Sequence, residues 1–160
     1  MNSAVRIAIS FVAASVAVPV VFAAYLYFTV HGPLYGIQVV LGVAWLVCLL
    51  HLVLIGVPVF VYLNRRNGLG WTSVSLSGFL TGALPLGLIG YPSRQEGYSS
   101  GVTWHGSYVE LYQNGEPTRY AWFSHFESSL LWGTLGAIAA VVFWRVWLAL
   151  KSFTASRAGA

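Results

Sequence analysis

"IAISFVAASVAVPVVFAAYLYFTVHGPLYGIQVVLGVAWLVCLLHLVLIGVPVFVYLN", residues 7 to 64, contains no Lys, Arg, Asp or Glu. A helix needs about 20 apolar residues to cross the hydrocarbon core of a bilayer. The run is too long for one such helix and predicts two. It divides at "HGPLYG", residues 31 to 36, where Gly32-Pro33 marks a turn. Span one then runs from about Ile7 to Val30, and span two from about Ile37 to Leu63. "NRRNGLG", residues 64 to 70, closes span two with two charges and turn residues. Two further apolar stretches follow, span three at about Trp71 to Gly90 and span four at about Ser128 to Leu150. A cleaved signal peptide competes for the N-terminus, but its apolar region is only about 7 to 15 residues long. The longer run here predicts a retained helix.

Composition points the same way. Of the 160 residues, 58% are hydrophobic and 8% charged, against roughly 25% charged in ordinary soluble domains. A net charge of +4 invites a nucleic-acid reading, but the eight Lys and Arg are scattered and form no basic stripe, so nucleic acid is not an expected partner. Cys48 is the single cysteine, which excludes an intramolecular disulfide and a CxxC site.

Lys and Arg in short flanks set the orientation of a membrane protein. Arg6, Arg65, Arg66, Arg145, Lys151 and Arg157 fall on one predicted side. The other side has Arg94 and Arg119 with all four acids, Glu96, Glu110, Glu116 and Glu127. Both termini are therefore expected in the cytoplasm and the 91–127 segment outside. Aromatic belts agree: Tyr25, Tyr27, Tyr35, Tyr91, Trp122 and Trp132 at the outer interface, and Tyr62, Trp71, Trp144 and Trp147 at the inner one.

Between lipid-immersed helices, close packing of small residues replaces the hydrophobic drive. Gly78 and Gly82 make a GxxxG pattern in span three, and Gly133, Gly136, Ala137 and Ala140 make ridges in span four. These predict packing inside one chain, with a homo-oligomer as the alternative use of the same ridges. Pro19, Pro58 and Pro85 each remove a backbone hydrogen bond within a span and predict kinks.

His51 is the one ionisable residue near the middle of a span, and such a residue is a functional candidate by default. It is the candidate for cofactor binding, as a haem ligand or in quinone-linked chemistry, although no other span offers a second histidine at that depth. The simpler expectation is a neutral imidazole hydrogen-bonded to Ser75, Ser77 or Thr81 of span three, with no cofactor. Cys48, one turn earlier, reads as small buried filler. His31, His105 and His125 with Glu127 are an irregular set for a metal, matching no common ligand spacing, and no metal site is expected. No catalytic motif is present, and the expectation is a protein that is not an enzyme.

The polar stretch "SYVELYQNGEPTRYAW", residues 107 to 122, reads as a β-hairpin. Asn114-Gly115 favours a two-residue type I′ turn. Counting outward, Gln113 faces Glu116, Tyr112 faces Pro117, Leu111 faces Thr118, Glu110 faces Arg119 and Val109 faces Tyr120. Pro117 then falls in a pair that exchanges no hydrogen bonds, where its missing N–H costs nothing. A lone hairpin is marginal in water, so this one must lean on the span ends, on a third strand near Val102 to His105, or on a partner. Tyr108, Glu110, Tyr112, Arg119, Tyr120 and Trp122 are the candidate partner-binding residues, because tyrosine-rich faces with flanking charge suit recognition.

"NGEPT" followed by Trp122, and "GTLGAIAAVVFW" at 133 to 144, resemble small uncharacterised four-span inner-membrane proteins of proteobacteria. The likeness covers about a quarter of the chain and implies a bacterial inner membrane; it transfers no catalytic residue. The expectation is an all-α membrane protein. It is a single integral domain, residues 1 to 160, built as a four-transmembrane-helix bundle with a small extracytoplasmic β-hairpin between helices three and four. It acts in the lipid bilayer by contact with a membrane or periplasmic protein, as an accessory or scaffold subunit of a membrane complex. Immunity against a toxin acting from the periplasm or forming pores is the alternative, and a haem- or quinone-linked redox protein using His51 the third.

Overall fold

A computed structural model describes residues 2–29, 37–66 and 68–158. The turn at 31–36, with His31 and Tyr35, lies outside the described residues, as does the side chain of Arg157. Helix α1 spans Ser3–Thr29 and α2 Ile37–His51. A π-helical turn, Leu52–Gly56, joins α2 without a break to α3, Val57–Arg65. Helix α4 spans Trp71–Ile89. Strands β1 (Ser100–Trp104), β2 (Ser107–Gln113) and β3 (Glu116–Pro117) follow, and α5 runs from Arg119 to Ala158. Among the described residues, four helical stretches are long and apolar enough to cross a membrane: Ala4–Phe28, Ile37–Arg65, Trp71–Ile89 and Arg119–Thr154.

Helix α5 is the centre of the bundle, packing most extensively on α4 and next on α1. Near one end of the bundle, Ala14 of α1 meets Phe60, Phe143 and Trp147. Phe60 stands edge-on to both α5 rings, with centroids 4.8 and 5.2 Å away. Closer to the other end, Val18 of α1 packs on Leu135 and Ala139 of α5. The early part of α1 thus faces the late part of α5, and the two are antiparallel. The start of α1, the end of α3 and the end of α5 share one end of the bundle, with Arg6, Arg65, Arg66, Arg145 and Lys151 there. Arg66 lies over Tyr62 at 5.6 Å and Lys151 over Trp147 at 5.3 Å, so aromatic rings hold cations at this end of the bundle.

The small residues of α4 and α5 are where the two backbones meet. A Cβ on Gly78 would come within 2.5 Å of Ala140 Cβ and 3.1 Å of Ala137 Cα. One on Gly82 would collide with the Trp132 carbonyl and lie 3.3 Å from Gly133 Cα, and Gly133 itself lies under the Phe79 ring. Among the described residues Ser10 and Ser15 of α1 are fully buried, and each hydroxyl donates to its own helix, to the Arg6 carbonyl at 2.8 Å and the Val12 carbonyl at 2.9 Å. Apolar side chains elsewhere point outward: Val12, Val20, Leu54 and Leu88 are each at least 60% exposed, a surface suited to lipid tails.

Helices α1 and α4 continue through Pro19 and Pro85. Pro58 sits differently, at the first turn of α3 directly after the π turn. Its nitrogen cannot bond the Leu54 carbonyl, and its ring crowds that turn. One extra residue widens the turn: the Val57 N–H reaches the Leu52 carbonyl, five residues back.

Candidate functional site

The polar segment is a three-stranded antiparallel meander in the order β1-β2-β3. Two type I′ turns build it. His105 and Gly106 have φ of 48° and 81°, and Asn114 and Gly115 have φ of 51° and 88°, the double positive φ that such turns require. In β2–β3 the register pairs Gln113 with Glu116 and Tyr112 with Pro117. In β1–β2, Val102 faces Val109, Thr103 faces Tyr108 and Gly101 faces Glu110.

The expected hairpin over 107–122 is corrected here. Strand β3 ends at Pro117, and Arg119, Tyr120 and Trp122 belong to α5. Glu110 faces Gly101 rather than Arg119, and Val109 faces Val102 rather than Tyr120. Thr118 is the point of change. Its N–H still bonds the Leu111 carbonyl at 2.9 Å, as a strand would. Its hydroxyl donates to the Glu110 carbonyl at 2.6 Å and accepts the Tyr120 N–H at 3.2 Å. It thereby caps the helix two residues on. Arg119 lies 5.2 Å over the Tyr120 ring, and Glu116 pairs instead with Arg94 at 3.0 Å, both well exposed.

Helix α5 has 40 residues, about 60 Å at 1.5 Å per residue. That is twice the roughly 30 Å of a hydrocarbon core. Its first turns carry the sheet. Trp104 is the link: its ring stacks on Phe123 (6.5 Å), stands edge-on to Tyr120 (5.8 Å) and touches His105 (4.7 Å). Its indole N–H donates to Glu127 Oε2 at 2.7 Å, while Glu127 Oε1 meets His105 Nε2 at 3.2 Å. Val109 and Leu111 of β2 are half-buried on the inner face. The loop before β1 closes the far edge. Gln95 N–H bonds the Gly115 carbonyl at 2.9 Å, Gly115 N–H bonds the Tyr98 carbonyl at 2.7 Å, and Ser99 Oγ accepts the Asn114 N–H at 3.0 Å.

The β1–β2 register shifts between Gly101 and Ser100, the partners of Glu110 and Tyr112, and Tyr108, Glu110 and Tyr112 line one shallow hollow on the open face together with Ser99, Ser100 and Gln113. Tyr108 is 72% exposed and lies across Gly101, where a Cβ would collide with its ring. Tyr112 packs edge-on against Tyr98 at 5.3 Å. The six candidate partner residues therefore divide into two groups. Tyr108, Glu110 and Tyr112 share the open sheet face. Arg119, Tyr120 and Trp122 stand on the first turn of α5, with Tyr120 half-buried against Trp104.

His51 closes α2 immediately before the π turn and is half-buried. The expected bond to span three is not made. Ser77 and Thr81 donate to their own helix, to the Val74 and Gly78 carbonyls at 3.0 Å each. The Ser75 hydroxyl is buried without a partner. His51, Ser77 and Thr81 line one crevice instead, described below. Of the residues considered for a metal, His105 and Glu127 meet, while His125 lies by Gly90 at the end of α4. Among the described residues no three His, Cys, Asp or Glu converge, and His31 lies outside them.

The sequence reading missed the roles of Trp104 and Glu127. "TWHGSY" at 103 to 108 carried the signal, a residue-glycine pair between alternating segments. No protein-family model, curated protein or solved structure matches the chain.

Proposed function

We propose that this protein is a non-enzymatic inner-membrane protein that acts by protein contact, as an accessory or scaffold subunit of a membrane complex. The sheet faces outward, and both termini lie in the cytoplasm. One observation carries the reading. Tyr108, Glu110 and Tyr112 project from a sheet whose other face is fastened to α5 through Trp104 and Glu127. A fixed aromatic face offers contact area at little ordering cost, which is what recognition favours. The orientation is supported by the cations gathered at the end away from the sheet, in keeping with the excess of Lys and Arg in cytoplasmic flanks.

A photo-crosslinking residue at Tyr108 in native membranes tests the reading. The expected result is one discrete crosslinked protein, lost when Glu110→Lys and Tyr112→Ser are added. A monomer with no crosslink from this face overturns it. The same display favours the second reading, immunity against a toxin acting from that side, and a crosslink to a toxin rather than to a resident membrane protein separates the two.

A further inference from the structure

The continuous α2–π–α3 helix approaches α4 chiefly around the π turn. Between these two helices lies a crevice of about 170 Å³, floored by α5. It is lined from Val47 to Leu63 on one wall, about 24 Å along the helix axis. The lining is apolar except for a few groups, and most of those are already satisfied: Ser77 and Thr81 bond their own helix. His51 differs. Among the described residues its imidazole has no hydrogen-bond or ion-pair partner, yet it lines the crevice midway between Ile37 and Arg65. That places it about 21 Å along the axis from either end of its helix. A polar group at such depth without a partner is costly.

We infer that this crevice is a binding site for a lipid-soluble molecule with one carbonyl-bearing ring and a long apolar tail, the chemistry of a prenylated quinone. Length and depth point to this occupant, and the volume admits its ring. A cavity of about 150 Å³ accommodates a benzene-sized ring, and this one is slightly larger. A partner helix, about 10–12 Å across with side chains, needs several times that room. A phospholipid keeps its polar head at the interface and brings no acceptor to the depth of His51. A quinone ring does: the His51 imidazole donates an N–H to the ring carbonyl while the tail runs along the open side of the crevice. This assignment is independent of the reading of the sheet face.

Trp132 lines the same crevice and serves as reporter, because quinones quench indole fluorescence. The probe is decylubiquinone, titrated into the purified full-length protein in nanodiscs. The expected result is a saturable component of quenching that is lost in Trp132→Phe, above the linear background from the six other tryptophans. His51→Leu binds roughly tenfold more weakly, as the loss of one buried hydrogen bond implies. His51→Gln, which keeps an N–H donor, stays close to wild type. Decylbenzene, which has the ring and tail but no carbonyl, competes poorly. Non-saturable quenching, equal binding by His51→Leu, or equal competition by decylbenzene overturns the assignment. Should His51→Leu fail to fold, the wild-type titration and the decylbenzene competition still decide it.

Discussion

Gly115 meets two demands at once. Its φ of +88° is a conformation that L side chains rarely adopt, and a Cβ there would press to 3.0 Å from the Gln95 carbonyl carbon. Gly115→Ala is expected to destabilise the sheet by at least about 1 kcal/mol from the backbone alone, seen as faster amide hydrogen exchange across 95–117. Glu127 is a second such residue. Its ion pair with His105 is half-exposed and contributes little, but it also receives the Trp104 indole. Glu127→Ala should loosen the sheet and red-shift Trp104 emission, whereas Glu127→Gln, which keeps an acceptor, should change both far less. Ser75 gives the opposite case. Its buried hydroxyl has no partner, so Ser75→Ala should leave stability unchanged or raise it by up to about 1 kcal/mol, measured by unfolding in mixed micelles.

Among the elements, α4 and α5 depend on glycine for their approach. Gly82→Leu forces a side chain into the Trp132 backbone and should cost about 1–3 kcal/mol or more, separating the two helices. The π turn holds one residue more than an α-helix would. Deleting the lipid-facing Leu54 (70% exposed) should let α2 and α3 join as regular helix with both faces kept. Thermal stability should stay near the parent value, whereas deletion of Leu80 in α4 should abolish folding. These elements also mark how far the sequence could be read. The charge-free run of 7 to 64 shows its helices because length and apolarity suffice for that inference. The turn at Asn114-Gly115 shows itself because its backbone demands are local. "PTRYAW" does not, since it alternates like a strand while Thr118 also opens a helix, and the choice is made by Trp104 stacking on Phe123 from another strand. The π turn is equally hidden: Pro58 announces a fault in the helix but not its form. His51 was visible as an oddity, yet its lack of a partner depends on where α4 ends up.

At the scale of the whole molecule, the proposed orientation makes a simple labelling prediction. Cys48 lies within the bundle, so engineered cysteines report cleanly in a Cys48→Ala background. A cysteine at Ser99 should react with an impermeant maleimide in intact cells, and one at Ser152 only after permeabilisation; the reverse pattern inverts the topology. The bundle also has unequal stiffness. Helix α5 is regular from the sheet to the far interface, while the α2–α3 helix has a widened turn at its midpoint. A load applied to the sheet would therefore be carried along α5, as along a strut, toward Lys151 at the opposite end. The helix beside it would yield first at the π turn, Leu52–Gly56. Whatever grips the sheet holds one end of a lever that runs the length of the bundle, beside a helix with a softer midpoint.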